Sequence, residues 1–252
     1  MTHLWTADDT ARHIAVPGEN DDKYSRGVLG VITGSRMYPG AAVIGVEAAL
    51  RTGVGMVRYL GGPRASDLVL QRRPEAVTAT GRVQAWLIGS GMDHEQRDDL
   101  DLMLSALAQP VPVVLDGGAI DLHDRAAGQV VITPHYRELG RLLGADAGEI
   151  ADAPAAWATN AAEELGVTVL LKGHTTHIAG PGIALSASSA PTWLATAGAG
   201  DALAGILGAL VATHHREAAG DPQELARLAA RDRKSTRLNS SHPVLSRMPS
   251  SA

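Results

Sequence analysis

The stretch TAGAGDALAGILGAL, residues 196–210, sets two glycines and an aspartate at the mouth of an alanine-rich apolar run. Such a run reads as a buried helix, so Gly198, Gly200 and Asp201 fall where that helix begins. A helix start offers free N–H groups and a partial positive charge, and it attracts anions. Glycines just before it let backbone amides close on a phosphate. A carboxylate at the same place favours the helix but repels a phosphate. Asp201 is therefore either an ordinary helix-start residue or a group that faces a reacting atom while the glycine amides hold the phosphate. This stretch alone leaves both readings open.

Other polar turns recur along the chain: GSRMYPGA (34–41), GSGMDH (89–94), DGG (116–118), TPH (133–135) and KGHTT (172–176). In TPHYRE, Thr133 is the predicted N-cap and Pro134 the first helical residue. That places His135 in the first turn, where the dipole disfavours its protonation and leaves a neutral imidazole for a ligand. A plain surface histidine fits equally well. Glu138, one turn on, supports the cap region or solvates the helix. Lys172 closes an apolar strand, where an ammonium is costly to bury unless it meets an anion. A phosphate would serve, and so would emergence into water. Gly173, Thr175 and Thr176 add backbone and hydroxyl donors, whereas His174 and His177 read as incidental. Asp116 is read as a structural turn residue in preference to a metal ligand, and no metal ligand set is assigned.

Alternating elements must position these groups. Strands are predicted at 27–33, 55–60, 84–91, 111–118, 129–133 and 167–173, several of them running into glycine turns. Helices are predicted at 39–53, 95–108, 134–144 and 152–165, with another opening near Gly200. TTHIAG and GIALSA read as a short β-hairpin. The strand segments are almost continuously apolar, as in a parallel sheet covered on both faces. Strand–helix alternation implies βαβ units with right-handed crossovers. In such open α/β sheets, ligands bind beyond the carboxyl ends of the strands, where all the polar turns would lie.

Composition narrows the function. The 252 residues suit one large α/β domain, and an apolar content of 45% supports a full core. Phe is absent, so that core is built from Ala, Val, Leu and Ile. With no cysteine, disulfides, zinc–thiolate sites and thiol catalysis are excluded. A net charge of −5 argues against a nucleic-acid partner. No apolar run approaches the ~20 residues needed to span a bilayer, and MTHLWTADDTARHI lacks a signal-peptide pattern. A cytoplasmic protein without membrane partners is expected. There is no GxxxxGK[ST] loop and no GxGxxG after the first strand, so neither a P-loop ATPase nor an ordinary Rossmann dehydrogenase is indicated. Residues 233–252 are polar and rich in Ser and Arg, a disordered tail by composition. The string RKSTRLNSSH within them resembles a translated sequencing-adapter read, so this tail is expected to be foreign.

Taken in order, GVLGVITGSRMYPGAAVIGVEAALRTGVGMV, WLIGSGMD, VVLDGGAIDL, VITPHYRELGRLLG, VLLKGHTTHIAGP and TAGAGDALAGILGAL resemble one family, the ADP-dependent NAD(P)H-hydrate dehydratases of the ribokinase-like superfamily. The resemblance covers about residues 20–215. The AGAGD turn is shared with sugar, thiazole and pyrimidine kinases, while YPGAA and TPHxxE are more specific. The resemblance implies a three-layer α/β sandwich with a mostly parallel sheet. It also implies a lyase that repairs the hydrated S form of NADH or NADPH (NADHX, NADPHX). ADP, with ATP as an alternative, phosphorylates the ring hydroxyl; phosphate then leaves, and AMP is the other product. Carried over by motif, Ala41, Gly91, His135 and Asp201 contact the hydrate, with Asp201 catalytic. Lys172, Gly173, His174, Thr175, Thr176 and Gly200 line the nucleotide, and Mg2+ bridges its phosphates. A homotetramer is expected.

The chain departs from the family in three places. Ser90 stands where the family often has proline, so that turn is expected to be looser. The epimerase domain fused to some members is missing, so a separate epimerase is the expected functional partner. The dehydratase domain, residues 1–232, is expected to be truncated where the tail begins. The serious competitor is a defective fragment of the same enzyme, true to the family but inactive; another reading is a small-molecule kinase of the same superfamily, acting on a thiazole, pyrimidine or sugar alcohol. Against it stand YPGAA and TPHYRE. A non-catalytic nucleotide-binding module is a weaker alternative, since Asp201 and Lys172 are both present.

Overall fold

The structure is a computed structural model that describes residues 2–12, 15–97, 99–188, 195–221 and 223–231. The 233–252 tail lies outside the described residues. In chain order come β1 (His3–Leu4), α1 (Ala7–Arg12), β2 (Val28–Ile32), α2 (Pro39–Thr52), β3 (Met56–Tyr59), α3 (Pro63–Arg72), β4 (Ala85–Ile88), α4 (Leu100–Leu107) and β5 (Val113–Leu115). A 3-10 helix, Gly117–Arg125, follows. Then come β6 (Val130–Ile132), α5 (Tyr136–Leu143), α6 (Ala147–Asp152), α7 (Pro154–Leu165), β7 (Thr168–Leu171), β8 (Thr176–Gly180), β9 (Ile183–Ala187), α8 (Ala199–Thr213) and α9 (His215–Gly220). A last helix, α10, spans 223–231.

The described strands form one nine-stranded sheet in the order β1-β9-β8-β7-β6-β5-β4-β2-β3. Neighbours from β7 to β3 are all parallel. The hairpin strand β8 runs antiparallel to β7 and β9, and β1 pairs parallel to β9. This is the expected α/β sandwich with a mostly parallel sheet.

Strand alternation explains the two covered faces. Leu29, Val31, Leu87, Val114, Val131 and Leu170 pack with Val46 of α2, Leu207 of α8 and Leu225 of α10. Their neighbours Val28, Ile32, Ile88, Leu115, Ile132 and Leu171 pack with Met103 of α4, Leu139 of α5 and Ala161 of α7. Both faces are apolar, so the strands read as unbroken hydrophobic runs. With no Phe, Trp86 supplies bulk. Its indole lies over Gly30 on the neighbouring strand, where a Cβ would stand 2.3 Å from the ring.

Small residues also set the course of α8. A Cβ on Gly205 would stand 2.3 Å from the carbonyl oxygen of Gly45, so α2 and α8 touch backbone to backbone. A Cβ on Gly45 would lie 3.5 Å from the Asp201 carbonyl oxygen. The alanines and glycines of the run therefore fix where the first turn of α8 sits relative to the YPGAA helix.

Some elements differ from expectation. Helices α3 and α6 were not anticipated: PRASDLVLQR buries only Ala65 and Val69, and AGEIAD only Ile150, which leaves almost no periodic signal. Helix α4 begins at Leu100, not residue 95, because DHEQR contributes no apolar face. After α8 the chain continues through α9 and α10, whose Leu225, Ala226, Leu228, Ala229 and Ala230 are buried in the α2–α8 layer.

Candidate active site

Because β2 to β7 are parallel, their polar turns gather along one edge of the sheet. Strand order reverses between β2 and β4: the chain leaves β2 for β3 on one side and later returns to β4 on the other. Such a switch point opens a crevice for ligands. Here the Gly34 amide donates to the Ser90 carbonyl at 2.7 Å, tying the two turns together. Gly91 has φ +67, and a Cβ on it would stand 2.3 Å from the Cβ of Ala41. Ala41 and Gly91, drawn from separate motifs, are thus in contact at the crevice, and only glycine fits at 91.

The centre of the site is an ion pair. Lys172, just past β7, places Nζ 2.9 Å from Oδ1 of Asp116, just past β5. Asp116 is 4% exposed. It also accepts from the hydroxyls of Thr133 at 2.6 Å and Ser90 at 2.9 Å. Burial by itself would raise the Asp116 pKa, but the Lys172 charge and these hydrogen bonds outweigh it and hold the carboxyl below its ordinary value. Burial would likewise lower the Lys172 pKa, and Asp116, then Glu138 at 3.7 Å, hold it above its ordinary value. Asp116 is buried at its turn, and its charged partner is a lysine two strands away. The anion that Lys172 requires comes first from the protein itself. Ser90, the departure from the family pattern, is buried and hydrogen-bonded into this cluster.

The Lys172 ammonium also reaches the start of α8: a Cβ on Gly200 would be 3.7 Å from Nζ. Gly198, with φ +88, is the N-cap, so Gly200 and Asp201 lie in the first turn. Their amides precede the first helical hydrogen bond, Ala202 N–H to Gly198 C=O, and face outward without helical acceptors. The Asp201 carboxyl is pushed above its ordinary value by burial and then by the Asp116 charge, with Lys172 pulling the other way. It is a carboxylate poised closer to neutrality than a surface aspartate, beside a set of anion-directed amides.

His135 departs from expectation. It is the N-cap of α5, not a first-turn residue, and Thr133 bonds Asp116 in place of capping. The imidazole Nδ1 accepts from the amides of Arg137 at 3.1 Å and Glu138 at 3.2 Å, while the His135 amide donates to the Glu138 carboxylate at 2.7 Å. This capping box leaves Nε2 as the ring's other nitrogen, 3.7 Å from Oε1 of Glu138. His135 and Lys172 lie side by side as bridge partners, and with Tyr136 they line a cavity of about 290 Å³. A second cavity of about 250 Å³ lies between Tyr38, Met92, Gly117 and Glu138.

In the KGHTT turn, a Cβ on Gly173 would meet the Tyr136 hydroxyl at 2.4 Å, so Tyr136 covers that glycine. His174 is exposed. Thr175 is half-buried, while Thr176 is fully buried at the head of β8 with its hydroxyl unpartnered among the described residues. The Thr176 side chain therefore faces the interior. Sequence reasoning missed the Ser90–Asp116–Thr133 cluster and the reach of Glu138 to Lys172. The only signal for them was that polar residues end adjacent strands. Among the described residues, no group of three or more His, Asp or Glu is arranged to hold a metal.

The architecture is that of the ribokinase-like α/β proteins. The chain superposes with a TM-score of 0.82 on a crystal structure of the ADP/ATP-dependent NAD(P)H-hydrate dehydratase from Bacillus subtilis co-crystallised with ATP/Mg2+. The match is at 24% identity and covers 96% of this chain and 91% of the other. A ribokinase-like superfamily protein from Enterococcus faecalis matches with a TM-score of 0.79 at 23% identity, over 95% and 89% of the two chains. The sequence pattern of the NAD(P)H-hydrate dehydratase family matches residues 29–244, and the chain belongs to that family. It is 42% identical over 220 residues to the bifunctional NAD(P)H-hydrate repair enzyme of Mycobacterium tuberculosis, covering 82% of this chain and 45% of the relative. It is 30% identical over 221 residues to the ADP-dependent (S)-NAD(P)H-hydrate dehydratase of Xanthomonas campestris, covering 78% and 76%. The chain spans about half the length of the bifunctional relatives it matches.

Proposed function

We propose that this chain is an ADP-dependent (S)-NAD(P)H-hydrate dehydratase, restoring NADH or NADPH from the hydrated cofactor. The observation that carries the reading is the place of Asp201. It lies in the first turn of α8, with Gly200 beside the Lys172 ammonium and the Ala41–Gly91 crevice close by across the α2–α8 contact. A phosphoryl transfer to a hydroxyl needs a carboxylate for the proton and a preorganised cradle for the phosphate.

In this reading the hydroxyl of the hydrate gives its proton to the Asp201 carboxylate as its oxygen bonds to the terminal phosphorus of ADP. The bond from that phosphorus to the bridging oxygen breaks, and AMP leaves. The ring nitrogen then donates its lone pair, the carbon–oxygen bond breaks, and phosphate departs. Loss of a proton from the adjacent ring carbon restores the double bond. The amides of Gly200 and Asp201 and the Lys172 ammonium face the developing phosphate charge. Ala41 and Gly91 allow close backbone approach to the ring, and the His135 Nε2–H supplies an orienting donor.

Magnesium suits this donor set as an ion carried on the nucleotide's phosphates, with at most one or two protein carboxylates. Asp201 and Glu138 are the carboxylates near enough to Lys172 to share in holding it, and Asp116 is already occupied by its three partners. Bound there, the ion would neutralise phosphate charge. ADP as donor, a homotetramer, an epimerase as functional partner and a cytoplasmic location belong to the same proposal. Among the described residues, no helix is long and apolar enough to cross a membrane.

The test is a product balance. Incubation with magnesium, ADP and NADH hydrate should give AMP, inorganic phosphate and NADH in equal amounts. A phosphorylated product that accumulates without phosphate release would identify a kinase instead.

A further inference from the structure

On the β3 side of the switch point, a cavity of about 340 Å³ begins at Gly34 and Met92. Its volume falls within the range of small-molecule sites. It adjoins the proposed reaction centre, because Gly34 lies against Gly91 and Met92 also lines the smaller pocket beside Gly117 and Glu138. Three arginines line it. The Arg97 guanidinium is already committed to the Gly118 carbonyl and to Asp121. Arg36 and Arg64 are exposed and have no hydrogen-bond or ion-pair partner among the described residues. Asp99 is the one carboxylate in the lining. Two uncommitted guanidinium groups thus converge on one cavity of a chain whose net charge is −5.

Guanidinium groups pair with phosphate in a bidentate fashion and keep their charge at any working pH. The proposed ADP cradle lies on the other side of Gly91, at Lys172 and the start of α8. The cavity over β2 and β3 thus gives a second phosphate-bearing ligand room on the side of the crevice away from that cradle. We propose that this cavity takes the phosphate-bearing end of the reduced dinucleotide, remote from the reacting ring, with Arg36 and Arg64 as its anion contacts. The inference rests on the dehydratase reading for the identity of that ligand, but not for the existence of the anion site.

The probes are NADH and NADPH, titrated by their own fluorescence against the full chain, so that no turnover is needed. Arg36→Gln and Arg64→Gln alter exposed, unpartnered side chains and leave the core untouched. Each should weaken NADPH binding at least about tenfold, as expected for a lost charge-assisted contact. In turnover, the same variants should raise KM for the hydrate by a similar factor and leave kcat and the KM for ADP unchanged. Equal weakening of NADH and NADPH places the contacts on the pyrophosphate, and weakening of NADPH alone places them on the ribose phosphate; either supports the site. Binding of both probes unmoved by both substitutions, or no binding to the unaltered protein, overturns it. If the variants weaken NADPH binding but no hydrate is turned over by the unaltered protein, the anion site stands and the dehydratase reading falls.

Discussion

The ammonium of Lys172 stands 2.9 Å from Oδ1 of Asp116, a carboxylate that ends a strand two places away in the sheet and is almost wholly buried. This pair joins the two halves of the site. Asp116 draws in Ser90 from the β4 turn and Thr133 from the β6 turn. Lys172 extends the cluster to the first turn of α8. A lysine that would be costly to bury alone is held charged and in place beside the first turn of α8.

Removing the ammonium strands the carboxylate. Lys172→Met should destabilise the protein by about 3–5 kcal/mol, the usual cost of leaving one partner of a buried pair uncompensated. Adding Asp116→Asn to that variant should return most of the loss, since the stranded charge is then gone. Chemical denaturation of both variants checks this. The sign in pH follows from the Asp116 carboxyl, which lies below its ordinary value in the folded state. Its contribution is present above the unfolded-state pKa and is lost as pH falls through the lower, folded-state value. In Lys172→Met that lowering influence is gone and burial disfavours the charged carboxyl, so the variant's deficit relative to the unaltered protein should shrink as pH falls and Asp116 is protonated.

Asp201 carries the opposite shift. Burial and Asp116 raise its pKa, so the ionised form needed to take a proton is disfavoured in the fold. Asp201→Asn should lower kcat by about 10²–10⁴ and melt no lower than the unaltered protein. The kcat/KM profile should rise with pH through an apparent value above the ordinary aspartate value of about 3.9. A midpoint at or below that value would separate Asp201 from the proton transfer.

His135 has two roles that substitution can part. His135→Ala removes the Nδ1 acceptor of the α5 capping box and should cost about 1 kcal/mol of stability. His135→Asn keeps a capping oxygen and should retain most of that stability. Both remove the Nε2–H, so both should raise KM for the hydrate. Recovery of KM along with stability in the asparagine variant would reduce His135 to a cap.

The α2–α8 contact makes a purely steric prediction. Gly205→Ala places a methyl 2.3 Å from a backbone carbonyl oxygen, which cannot rotate away. The expected cost is about 1–3 kcal/mol or more, read as a lower melting temperature. Because the same contact sets the start of α8, kcat should fall as well.

The sheet was legible because β2, β4, β5, β6 and β7 are apolar on both faces and end in glycine or polar turns. The motif residues were legible as chemistry; parallel strands bring Ala41, Gly91, His135 and Lys172 to one edge, and the α2–α8 contact sets the first turn of α8, with Asp201, against α2. What sequence could not supply was pairing across the sheet. Asp116 and Lys172 lie 56 positions apart, and only the strand order brings their carboxylate and ammonium together. The role of His135 turned on one residue of helix register, since a cap and a first-turn position share the same sequence pattern. Helices α3 and α6 escaped notice because each buries too few side chains to show a period.

The central claim is tested most directly by following NADH absorbance as the protein meets NADH hydrate, magnesium and ADP, beside controls with ATP and with no nucleotide. The account predicts that absorbance returns with ADP, does not return without a nucleotide, and is lost in Asp201→Asn. A folded protein that leaves the hydrate unchanged with either nucleotide, or restores NADH equally well in Asp201→Asn, would contradict it.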